Sequence, residues 1–169
     1  MPGPIHATVS TVHVDATTID LVGEDLVAEF EPEWASTGLI AADPGGDSAR
    51  ILCGQEIGSI QVTAQLWDDI PPLPDDMDAW QDVAEVSAAW RTAWFDFGTT
   101  DSGDDPEKRL PLSGPGDYRM RVHGRHRDDG DPRPDDAPTE EYLIQLWPAP
   151  HGADRVIKTT SHTARLWRS

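Results

Sequence analysis

Ser59-Ile60-Gln61-Val62-Thr63-Ala64-Gln65-Leu66-Trp67-Asp68 is the stretch on which the fold class turns. Ile60, Val62, Ala64 and Leu66 fall on one side of an extended chain. Ser59, Gln61, Thr63, Gln65 and Trp67 fall on the other. A period of two marks a half-buried β-strand, because successive side chains of a strand point to opposite faces. Gly116–Arg127 and Thr139–Trp147 also read as long strands, joined by Asp128–Pro138, which is rich in Asp and Pro. Consecutive long strands with a surface connection predict an antiparallel pair. Tyr118, Met120 and Val122 should then face the core beside Tyr142, Ile144 and Leu146.

Shorter apolar runs, separated by Gly, Pro and Asp, carry the reading outward in both directions. Thr8–Val14 alternates and reads as a first strand. Thr17–Val22 and Leu26–Phe30 are divided by Gly23-Glu24-Asp25, and Gly38–Ala42 and Ala49–Cys53 flank Pro44-Gly45-Gly46-Asp47. Val86–Phe97 reads as one strand covered on both sides, and Arg155–Thr160 as the last, ahead of a tail ending at Leu166-Trp167. Glu31–Thr37 fits one helical turn with Pro32 near its start, and Met77–Val83 a short helix. Gly98–Asp105 reads as a polar loop. The expected fold is all-β, a mainly antiparallel β-sandwich with at most one or two short helices. With 169 residues and no internal repeat, the expectation is one domain over residues 1–169.

The formal charge is −18, and its distribution is uneven. Residues 1–105 hold 21 of the 31 acidic residues and only Arg50 and Arg91 of the 13 basic ones. Such a charge repels nucleic acid and anionic membranes and favours a basic protein partner. No apolar run approaches the roughly 18 residues of a membrane span. The first twenty residues contain no Lys or Arg and no long apolar stretch, which does not read as a secretory signal. Cys53 is the single cysteine, so no internal disulfide can form, and a reducing cytoplasm is expected.

Within the acidic part, Asp68–Asp78 packs Asp68, Asp69, Asp75, Asp76 and Asp78 around three prolines. It reads as a surface loop and a candidate partner-binding site. On the strand at Tyr118, alternation puts Arg119, Arg121, His123, Arg125 and Arg127 on one face. Arg119, Arg121, His123 and Arg125 are therefore candidates for binding an anion. The competing explanation is cross-strand pairing with acids, for which Glu140 and Glu141 on the next strand stand nearest.

Nothing else carries clear chemistry. His123 and His126 are three apart on a strand and face opposite sides, so no metal site is expected. Cys53 sits in an apolar run and reads as a small buried hydrophobe. Asp96, between Phe95 and Phe97, could be an acid catalyst if buried, but a solvent-facing strand position is the commoner case. No nucleophile elbow, phosphate loop or dinucleotide fingerprint occurs, and no cofactor or catalytic residue is assigned. Trp80, Trp90 and Trp94 could line a pocket, although core packing is their more frequent use.

Three stretches carry a family resemblance. They are Glu33-Trp34-Ala35-Ser36-Thr37-Gly38-Leu39-Ile40-Ala41-Ala42-Asp43, the passage from Leu110-Pro111 to Gly116-Asp117-Tyr118, and Glu140-Glu141-Tyr142-Leu143-Ile144-Gln145-Leu146-Trp147. Their order and spacing resemble the competence-associated DNA-entry nuclease inhibitor family, in outline from about Val12 to Trp147. The resemblance implies a small acidic β protein that binds a nuclease and blocks it. The basic strand face and the long Asp128–Pro138 loop depart from that pattern. The sequence thus favours an acidic binding protein, an inhibitor of a nuclease or toxin. The alternative is a ligand-binding or enzymatic β-sandwich with a tryptophan-lined pocket.

Overall fold

A computed structural model describes residues 3–23, 30–97, 109–130 and 134–168. The predicted Leu26–Phe30 run and Gly98–Asp105 loop lie outside the described residues, apart from Phe30. Among the described residues, eleven strands form two sheets. The larger sheet contains β1 (His6–Asp15), β5 (Ile57–Leu66), β6 (Asp82–Trp90), β9 (Gly116–Arg125), β10 (Glu141–Pro148) and β11 (Arg155–Thr159), in the order β1-β5-β10-β9-β6-β11. The smaller contains β2 (Thr18–Val22), β3 (Ile40–Ala42), β4 (Ser48–Leu52), β7 (Trp94–Phe97) and β8 (Leu110–Pro111), in the order β3-β4-β2-β7-β8. Two short helices, α1 (Trp34–Thr37) and α2 (His162–Arg168), complete the fold with one 3-10 turn at Met77–Ala79. No described helix is long and apolar enough to cross a membrane.

The period-two stretches behave as their patterning dictates. Ile60, Val62, Ala64 and Leu66 of β5 are buried. β9 and β10 pair antiparallel, with Met120 opposite Leu146, Val122 opposite Ile144 and Tyr118 opposite Pro148. Their inner side chains join one apolar cluster that also takes Ile19 and Leu21 from β2, Ile51 from β4 and Phe95 from β7. That shared cluster holds the two sheets face to face. Fully burying side chains of this size contributes roughly 1.5–3 kcal/mol each, before the entropy of ordering the chain is set against it. One pairing is parallel: β10 lies between β9 and β5 and runs in the direction of β5.

Val86–Phe97 is two strands in two sheets. β6 stops at Trp90 and β7 begins at Trp94. The turn is fixed by Asp47, which accepts from the Arg91 N–H (3.0 Å), and by the Thr92 hydroxyl, which donates to the Trp94 carbonyl (2.9 Å). Three intervening residues shift the parity, so Trp90 and Phe95 both enter the core with ring centroids 5.5 Å apart. The helix expected over Met77–Val83 is confined to the 3-10 turn, because Asp82 and Val83 are already in β6. The C-terminal tail is helical instead. Its first N–H groups are met by Asp128, which accepts from His162 and Thr163, and by the Ser161 hydroxyl, which accepts from Ala164.

Candidate functional site

The acidic loop and the basic strand face belong to one construction. After β5 the chain crosses the outer face of the larger sheet before returning to β6. Arg121 of β9 donates to the Pro71 carbonyl (2.9 Å), and Lys158 of β11 donates to the Met77 carbonyl (2.9 Å). Pro71, Pro72 and Pro74 restrict φ along this crossing, which lowers the entropy lost in holding it. Asp68, Asp69, Asp75, Asp76 and Asp78 are all exposed along the strap. Ile70 and Leu73 lie among them, 56% and 46% exposed.

Beneath the strap, the arginines are engaged within the protein. Glu85 on β6 receives Arg121 (2.9 Å) and Arg119 (3.4 Å). Arg119 also donates to the Ser87 hydroxyl and the carbonyls of Gly152 and Ala153. Arg125 pairs with Glu141 (2.9 Å) and lies over the Trp80 ring, while Arg121 lies over Trp147. This is the cross-strand pairing arrangement. Glu85 was not foreseen as its main acid, since it lies on a strand 36 residues away along the chain.

His123 is fully buried, packed against Trp80 at 5.5 Å. Its Nδ1 lies 3.2 Å from the Leu143 carbonyl and carries the proton donated to it. Burial, with the Arg121 charge adding to it, lowers the imidazole pKa from 6.5 to about 4. Nε2 of His123 and Nε1 of Trp80 have no hydrogen-bond partner among the described residues. His126 has a different partner, Asp129 at 3.4 Å, so the two histidines do not converge.

Arg127 departs from the predicted ladder. β9 ends at Arg125, and His126 takes a positive φ of 59°. The alternation is broken there, and Arg127 turns into the space between the sheets, 1% exposed. It donates to Asp82, to the Gly38 and Leu52 carbonyls, to the Tyr142 hydroxyl and to Ser161. Burial works against its charge, but Tyr142 and Asp82 outweigh this, and its pKa is raised. Tyr142 in turn donates to Glu140, whose carboxylate accepts from the N–H groups of Gly54 and Gln55. Cys53 is buried beside this group, and burial together with the Glu140 charge pushes its thiol pKa up. A thiol so held is a poor nucleophile.

Asp96 is buried, and Arg109 donates to it at 3.2 Å, so it is an ion-pair partner and not a solvent-facing strand residue. Trp90 is in the core, whereas Trp80 packs on the outer face of the larger sheet and Trp94 lies under Arg109. The three indoles therefore do not line one pocket. A cavity of about 300 Å³ opens beside β3 and is lined by Ala41, Ala42, Asp43, Ser87 and Asp154 among others, with no tryptophan.

No family model matches the chain, and no curated protein does. Two solved structures do. A chain described as "Crocagin biosynthetic gene J" is similar over 85% of this chain and 97% of its own, with 16% identity and a TM-score of 0.50. ComJ from Bacillus subtilis, described as an inhibitor of the DNA degrading activity of NucA, is similar over 88% of this chain and 99% of its own, with 12% identity and a TM-score of 0.53. At such identities the likeness is one of fold, and it agrees with the resemblance carried by the three sequence stretches: this chain has a ComJ-like fold over most of its length.

Proposed function

We propose that the protein is a non-enzymatic binding protein that captures a basic protein through the strap at Asp68–Asp78 and blocks it, with a nuclease as the favoured partner and a toxin as the next. The observation that carries this reading is the strap itself. Five exposed aspartates surround exposed Ile70 and Leu73 on a segment fixed from below by Arg121 and Lys158. Acidic side chains steer a basic partner into encounter, and apolar ones give the encounter a desolvated centre. A segment already held in place loses little entropy on binding. The ComJ-like fold supports a nuclease as partner, because ComJ is described as an inhibitor of one. A cytoplasmic site of action goes with this reading, and Cys53 is a free, buried thiol. No cofactor is part of it.

The test is inhibition of, and calorimetric binding to, a basic nuclease of the source organism. Replacing Asp68, Asp69, Asp75, Asp76 and Asp78 together by Asn should weaken binding at least tenfold, chiefly through slower association, and leave the melting temperature within a few degrees. Affinity of the unaltered protein should fall steeply with added salt. Normal binding by the neutralised protein would remove the strap from the reading.

A further inference from the structure

We propose that β1 is a docking edge for a second copy of this chain, the two β1 strands pairing antiparallel across a two-fold axis and joining the two larger sheets. This does not rest on the inhibitor reading. It starts from how differently the sheet edges are finished. β11, the opposite edge of the larger sheet, is five residues long, carries Arg155 and Lys158, and is interrupted by a bulge between Val156 and Lys158. Among the described residues, the edges of the smaller sheet, β3 and β8, have three and two residues. Bulges, basic side chains and shortness are the usual protections of an edge against pairing with another chain.

β1 has none of them. It runs for ten residues, His6–Asp15, in unbroken register with β5, and contains no Pro, Gly, Lys or Arg. Among the described residues no strand pairs with its other side. Every second residue of such an edge directs its N–H and C=O outward, a ready template for strand addition.

Charge identifies the occupant. Residues 3–14 and 57–67 contain no Asp, Glu, Lys or Arg, in a chain of net charge −18. Val9, opposite Thr63 in the middle of the β1–β5 pair, is 62% exposed on this uncharged stretch. A basic partner gains little from an uncharged edge and is drawn to the acidic loops instead. A second copy meets acid against acid over much of its surface, but not along β1. There, antiparallel self-pairing sets uncharged residues opposite uncharged residues over 6–14, with Asp15 at the end of the strand, and the contact is isologous and closes on itself.

Sedimentation and light scattering of the full chain, over a concentration series at low and high salt, test the proposal. The expected result is a monomer–dimer equilibrium whose dimer fraction rises with concentration and with salt, because screening removes the repulsion between two acidic bodies. That sign is opposite to the one expected for a basic partner, so failure of either reading leaves the other intact. Val9→Lys with Thr11→Lys should weaken the dimer at least tenfold, while Leu166→Ser with Trp167→Ser, at exposed apolar residues of α2, should leave it unchanged. Should the lysine variant not fold, amide exchange on the unaltered protein replaces it. Protection of β1 amides should then rise with protein concentration. A monomer under all conditions, a dimer indifferent to the β1 lysines, or β1 amides unaffected by concentration would overturn the proposal.

Discussion

Arg127 ties the two sheets together through its guanidinium. It links Asp82 and Tyr142 of the larger sheet to the carbonyl of Leu52 in the smaller one. Arg127→Met would leave Asp82 buried without its charge partner, and breaking a buried pair in this way costs about 3–5 kcal/mol. Urea denaturation should show that loss. Gly54 is needed at the same place, because a Cβ there would sit 1.8 Å from the Arg127 carbonyl oxygen. His123 predicts a pH effect of defined sign. The unfolded chain protonates it near pH 6.5 and the folded protein near 4. Between these values unfolding takes up a proton, so stability falls as pH drops from about 6.5 towards 4, by about 3 kcal/mol in total. His123→Phe should flatten the stability profile over that window relative to the unaltered protein, with the carboxylates common to both. Residue-scale reading of the sequence found the basic face of β9 through strict alternation. It misplaced Arg127, because alternation holds only until the first residue with positive φ, and nothing about His126 announces one.

At the scale of elements, the alternating segments were the legible ones. β5, β9 and β10 each expose one face to the core and show it in period two. The break between β6 and β7 was not legible, since Val86–Phe97 is apolar on both faces and the contact that bends it comes from Asp47, 44 residues away. α2 was hidden for a different reason: seven residues are too few to show a helical period, and only Ala164 is buried. Its stability is supplied from outside by Asp128. Burial there disfavours ionisation, but the N–H groups of His162 and Thr163 and the Thr163 hydroxyl outweigh it, and the Asp128 pKa is lowered. Asp128→Ala should therefore loosen α2, at a cost of about 1 kcal/mol, visible as faster amide exchange at His162 and Thr163. The segment Asp128–Pro138 is thus not freely dispensable, because its first residue is a cap. The strap over residues 68–78 was recognised as a loop by composition. That it is fastened to the arginines beneath could not be read, because both fastenings end on backbone carbonyls, which no side-chain pattern records.

At the scale of the molecule, charge and topology divide the work. Asp20, Asp82, Glu85 and Asp96 of the first two thirds are buried and take up Arg50, Arg127, Arg121 and Arg109 in internal ion pairs, while the five aspartates of the strap are left exposed. The surface is consequently more one-sided in sign than the sequence total conveys. The placement of β10 has a consequence of another kind, for the order in which the chain can assemble. β1 and β5 meet early, but the next strand beside β5 is β10, about 80 residues later. Until that strand is synthesised and docked, β5 keeps an open side and the β9–β6 pair has no link through the sheet to the β1–β5 pair. Contacts this distant along the chain slow folding, because loop closure must be met before they reward it. During synthesis the β1–β5 pair therefore waits for the penultimate strand, and a chain cut short before Glu141 has two fragments of the larger sheet with no strand between them to carry the hydrogen-bond ladder across.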